Sequence, residues 1–216
     1  MGMAQWIELY GDRGMLAAGG AAIGLGFGFL AQRSRFCLRA AVIEFWHRRF
    51  GEKLSVWLLA FSAAVIGVQL LSLSGWLDTA NARQIAARGS LSGALLGGLI
   101  FGAGMVLTRG CASRLLVLSA NGNLRALLSG LVFAVTVQAT IAGWLAPVRQ
   151  FLYNLWPIDG GPARDLQVLT GTTPWGGLAV AGLALITGVY FFWRQHTGRP
   201  WLAMGAVGSG LCIAAG

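Results

Sequence analysis

Residues 98–115 read Gly98-Leu-Ile-Phe-Gly102-Ala-Gly104-Met-Val-Leu-Thr-Arg109-Gly110-Cys111-Ala-Ser-Arg114-Leu115. A glycine-rich apolar segment ends in a short polar break carrying one cysteine, and an apolar segment resumes behind it. An earlier stretch, Gly28-Phe-Leu-Ala-Gln-Arg-Ser-Arg35-Phe36-Cys37-Leu-Arg39-Ala-Ala, repeats the pattern. Aligned on the cysteines, Gly24 matches Gly98, Gly28 matches Gly102 and Arg35 matches Arg109. Irregular backbone at membrane depth is tolerated only where it lines a cavity or is buried in protein. Helices that stop and restart at matching places are the pattern of transporters built from repeats. The stretch therefore points to an all-α, polytopic helical membrane protein with repeated broken-helix motifs that carry cysteines.

Composition agrees. Of 216 residues, 56% are hydrophobic and only 11% charged, against about 25% charged in an ordinary soluble domain. Too few polar side chains remain to cover a soluble surface, and the long apolar runs do not alternate as the strands of a β-barrel would. The formal charge of +9 comes almost wholly from arginine, with Lys53 the one lysine. These arginines stand at the ends of apolar runs or inside the cysteine motifs, not in a solvated patch, so no nucleic-acid partner is expected. The three cysteines stand far apart and form no CxxC, which argues against a dithiol, a zinc knuckle or a disulfide framework. No metal site and no cofactor are expected, and no signal-peptide cleavage site follows the first run.

Six apolar runs can be walked off: Met15–Ala31, Leu54–Leu77, Leu91–Leu107, Leu124–Ala146, Gly176–Trp193 and one from Trp201 to Gly216. Spanning a bilayer takes about 20 residues, which the second and fourth reach comfortably. Residues 1–146 read as a membrane repeat unit holding both cysteine motifs. Residues 147–175, rich in Pro and Gly, read as an outer loop, and residues 176–216 as the start of a further helical unit. The chain stops within an apolar helix, as a truncated chain would. With 32–53 placed inside, eleven cations fall to inner segments and five (Arg13, Arg83, Arg88, Arg149, Arg164) to outer ones. The positive-inside rule then puts the N-terminus outside, with Arg48, Arg49 and Lys53 carrying the argument. Trp46, Trp57, Trp76, Trp144 and Trp193 fall near run ends, where an interfacial belt would place them.

The chemistry gathers at the two breaks. A helix restarting after each cysteine presents free backbone N–H groups, a ready site for an anion. Gly28, Gly102, Gly104 and Gly110 would let half-helices approach closely. A buried thiol is a weak, polarizable donor suited to a sulfur-containing solute. Cys37 and Cys111 are therefore expected to line a substrate path as neutral S–H donors, whereas Cys212 matches neither motif and reads as packing. Arg35, Arg39, Arg109 and Arg114 lie close enough to the breaks either to attract an anion or to pair structurally. Glu44, in an apolar stretch, reads as an arginine's partner or as part of a polar path. His47 reads as interfacial, and His196 has no ligand companion.

The paired motifs, followed by Asn121-Gly122-Asn123-Leu124, resemble the YeeE/YedE family of sulfur-transport membrane proteins. The likeness is clear from Gly24 to Ala146 and more diffuse to Gly216. It implies an inner-membrane permease of helical repeats for a small sulfur-containing anion such as thiosulfate, with Cys37 and Cys111 on the path. It also implies a cytosolic sulfur-carrier protein of the TusA type as a partner. Two features depart from the family pattern: Arg109-Gly110 stands where many relatives carry Gly-Gly, and no further cysteine motif follows Pro147. A non-transporting helical subunit of a sulfur or selenium complex is the alternative reading. A thiol redox enzyme of the membrane is a weaker one, since it lacks a dithiol pair.

Overall fold

The structure, a computed structural model, describes residues 3–75, 89–158, 174–195 and 200–216. Helix α1 (Met3–Ser34), the short α2 (Leu38–Trp46) and α3 (Glu52–Leu73) form the first repeat. The second comprises α4 (Leu91–Leu107), α5 (Ala112–Ala120), α6 (Leu124–Ala142) and α7 (Ala146–Asn154). Helices α8 (Pro174–Arg194) and α9 (Pro200–Ala215) follow. Two short strands, β1 (Gly89–Ser90) and β2 (Pro157–Ile158), pair antiparallel with Gly89 opposite Ile158. They tie the start of α4 to the end of α7, helped by the Ser92 hydroxyl, which donates to the Leu152 carbonyl at 2.7 Å.

Four segments among the described residues are long and apolar enough to cross a membrane: Glu52–Leu73, Leu91–Ala120, Leu124–Ala142 and Gly176–Arg194. The chain is a multi-pass helical membrane protein. The expected run Leu91–Leu107 is α4 itself. The run expected over Leu124–Ala146 stops early, since α6 ends at Ala142 and Gly143 turns extended. A Cβ at Gly143 would lie 2.8 Å from the Ala139 carbonyl oxygen, so only glycine fits this exit. Helix α7 follows at once, and the segment expected as a loop from Pro147 therefore opens with a helix. Trp76, Arg83, Arg88, Arg164, His196 and Arg199 lie outside the described residues.

Packing centres on α3, which is flanked by α8 and α9, while α1 lies on α9. Val56, Leu59 and Ala60 of α3 bury against Leu202 and Ala206 of α9. Small residues permit the contact. A Cβ at Gly67 would fall 2.6 Å from the Ala214 Cβ; at Gly205 it would fall 3.1 Å from the Ser34 Cβ; at Gly210 it would strike the Ala60 carbonyl oxygen. Without a hydrophobic force between helices in lipid, such close van der Waals contact is what holds them. The fully buried Ser34, Ser62 and Ser209 satisfy their hydroxyls on their own helices, donating to the carbonyls of Ala31, Leu58 and Ala206.

The glycines expected to draw half-helices together sit elsewhere. A Cβ at Gly28, Gly102 or Gly104 would meet no atom within 4 Å among the described residues, and one at Gly110 would meet only the Leu115 side chain at 3.5 Å and Arg114 beyond it.

Candidate functional site

The two breaks have the same backbone. Helix α1 stops at Ser34, Arg35 takes a left-handed conformation (φ 51°), and Cys37 in extended backbone caps α2. Helix α4 stops at Leu107, Arg109 is left-handed (φ 57°), and Cys111, also extended, caps α5. The reversal at each arginine lets a new helix start within three residues. The hydrogen bonds repeat in the register that places Cys37 on Cys111. Arg35 N–H donates to Gln32 and Arg109 N–H to Val106, both at 3.3 Å; Arg49 N–H donates to Glu44 and Asn123 N–H to Leu118. Helices α2 and α5 are both 9 residues long, about 14 Å, or half the hydrocarbon thickness. Each ends at a left-handed residue, Arg48 (φ 52°) and Gly122 (φ 84°).

The repeats bring their cysteines together. The Cys37 and Cys111 thiols lie against one another. The Cys37 sulfur also lies near the backbone N–H groups of Ala40 and Cys111, and the Cys111 sulfur near those of Arg114 and Leu38. Neither thiol makes a capping hydrogen bond. The first-turn amides of both short helices thus surround one thiol pair, where two positive dipole ends converge. Cys111 is buried, Cys37 is half-buried, and both are free thiols. Ser113 adds a hydroxyl 3.3 Å from the Cys111 sulfur. Cys212, on α9, stands apart from the pair, with its sulfur 3.6 Å from where a Cβ on Gly26 would lie.

Four arginines flank this pair in sequence. Arg35 and Arg109 are exposed, Arg39 and Arg114 half-buried. Among the described residues none of the four forms an ion pair; the one seen joins Lys53 to Glu52 at 2.7 Å. The Nε of Arg39 is buried without a hydrogen-bond partner. Leaving a charged donor unsatisfied costs free energy that an anion would recover.

Other sequence expectations resolve differently. Among the described residues Glu44 pairs with no arginine. Its Oε2 accepts the Leu54 N–H at 2.9 Å, so it caps the N-terminus of α3, where a carboxylate is favoured. Gly51 lies beneath it, and a Cβ there would sit 2.6 Å from the carboxylate and displace it. Arg33 lies over the rings of Phe29 and Trp201. Sequence reasoning missed Gln32, whose amide donates to Asn121 Oδ1 at 3.2 Å and bridges the two repeats. It also missed Asn123, which caps α6 by accepting the Ala126 N–H. In the repeat register His47 and Asn121 occupy the same place, and each turns its side chain onto the carbonyl four residues back.

No group of three His, Cys, Asp or Glu able to hold a metal occurs among the described residues. A cavity of about 350 Å³ opens between α3 and α9 beside Phe36, lined by Trp57, Phe61, Val65 and Gln69 among others. Its walls are almost wholly apolar.

A family model described as sulphur transport matches residues 33–209. The thiosulfate transporter TsuA of Spirochaeta thermophila is 30% identical over 179 residues, covering 77% of this chain and 52% of that relative. The chain spans about half the length of the curated relative it matches. The family match takes in both breaks and continues into α9, and with it the chain belongs to the sulphur transport family.

Proposed function

We propose that the chain forms part of a permease that passes a small sulfur-containing anion, thiosulfate being the favoured case, across the cytoplasmic membrane. The observation that supports this most is the meeting of Cys37 and Cys111 between the N-termini of two half-membrane helices. The amides of the first turns offset the anion's charge, and protonated thiols donate weak S–H hydrogen bonds to its sulfur. Weak donors suit conduction, because a site must bind well enough to admit the ion and loosely enough to release it. Arg35, Arg39, Arg109 and Arg114 raise the local anion concentration at the two breaks. Arg48, Arg49 and Lys53 face the cytoplasm and the loop after α7 faces outward. A cytosolic sulfur-carrier protein of the TusA type is the permease's partner on the inner side.

The test is reconstitution. The permease that contains this chain, purified from its host and placed in liposomes, should take up radiolabelled thiosulfate in preference to sulfate, which lacks the soft terminal sulfur. Equal uptake of both, or none above empty liposomes, would overturn the proposal.

A further inference from the structure

The two repeats match in backbone yet differ in how they are covered. In the first, α9 wedges between α1 and α3. It meets α1 along Ile23, Gly26, Leu30 and Ser34, and α3 along Ala60, Ala63 and Gly67. In the cysteine register the α1 line corresponds to Gly97, Ile100, Gly104 and Thr108 on α4. Counted from the caps Gly51 and Asn123, Ala60 and Ala63 correspond to Val132 and Val135 on α6. Ala60 and Ala63 are 1% and 6% exposed, whereas Val132 and Val135 are 66% and 69% exposed, and Ile100 is 65% exposed. A Cβ at Gly97 or Gly104 would meet nothing within 4 Å. Among the described residues, the place that α9 fills in the first repeat is open in the second.

We infer that the slot between α4 and α6 receives one further apolar transmembrane helix, contributed by polypeptide outside these 216 residues. The side chains that line the slot define its chemistry. Where α1 presents Ile23 and Leu30, α4 presents Gly97 and Gly104; where α3 presents Ala60 and Ala63, α6 presents the larger Val132 and Val135. On the α4 line Ile100 stands where α1 has Gly26, so that wall offers two hollows, at Gly97 and Gly104, on either side of Ile100, and the occupant must fit both. It sets large side chains such as Leu, Ile or Phe over the two glycines and small ones against the valines, because membrane helices bind by such steric fit. The half of the curated relative that this chain does not match is polypeptide of the kind that could supply it.

A photoreactive amino acid placed at Ile100, and separately at Val135, tests this in the native host's membranes. A third placement at Leu183 on α8, an exposed apolar position away from the slot, serves as control. Both slot positions should crosslink to the same apolar helix. Mapped by mass spectrometry, that helix should lie outside this sequence and carry large residues opposite Gly97 and Gly104. The adduct at Ile100 should be lost in Gly104→Leu, whose side chain enters open space and so leaves the fold intact, and kept in Gly104→Ala. Adducts with lipid alone, with a second copy of this chain, with a helix lacking that pattern, or equally strong at Leu183 would each overturn the inference.

Discussion

Replacing Arg109 by glycine should separate what the backbone needs at the second break from what the side chain does there. Arg109 holds φ at 57°, a region that costs a residue bearing a Cβ about 1–2 kcal/mol. Glycine escapes that cost but loses about 0.5–1 kcal/mol more backbone entropy on folding. The balance for Arg109→Gly is therefore a gain of about 0–1.5 kcal/mol, so the purified variant should melt no lower than wild type in a detergent thermal-shift assay. Uptake should move the opposite way. The guanidinium is exposed and forms no ion pair among the described residues, so its contribution is long-range attraction of the anion. Its removal should raise the KM for thiosulfate about fivefold at low salt, with the difference shrinking as ionic strength rises. Arg109→Gln, which keeps the backbone strain and drops the charge, should share the KM but not the gain in stability. A loss of stability in Arg109→Gly would refute the view that the side chain is structurally dispensable. An unchanged KM in both variants would refute its role in attracting anions.

Asn123→Ala removes the oxygen that accepts the Ala126 N–H at 3.1 Å and should destabilise the second repeat by about 1 kcal/mol, read as a lower melting midpoint, while Asn123→Ser keeps most of it. Gly210→Ala drives a Cβ to within 2.8 Å of the Ala63 Cβ and should cost about 1–3 kcal/mol by overpacking, whereas Gly28→Ala, facing open space, should not destabilise. Glu44→Ala leaves the Leu54 N–H without its acceptor and should lower stability by about 1 kcal/mol, without changing the KM for anion uptake, since Glu44 holds α3 and not the thiols.

The helices were legible because apolar runs of spanning length leave few alternatives, and α4 begins and ends where its run does. The exit from α6 was not, because Gly143 is apolar by composition while the steric demand beside Ala139 appears only in three dimensions. The two breaks could be read from the repeated cysteines, including the left-handed turn that each arginine takes only as a place where the helix must stop. That the thiols touch required the repeats to fold against each other through Gln32 and Asn121, a pairing across a long stretch of sequence that no local pattern encodes. Glu44 was misjudged for the same reason: its partner is a backbone amide ten residues on, which composition cannot reveal. Gly28, Gly102 and Gly104 face no neighbour among the described residues. Spacing shows that a helix has a smooth stripe, but not which neighbour, if any, lies on it.

If one thiol from each repeat handles the same ion, as proposed, single-cysteine variants of the permease will show it. Thiosulfate uptake by reconstituted Cys37→Ala and Cys111→Ala should fall to a small fraction of wild type. Cys212→Ala should transport as wild type does, since its thiol lies away from the pair. Uptake at the wild-type rate by folded Cys37→Ala or Cys111→Ala, or a loss in Cys212→Ala matching theirs, would contradict it.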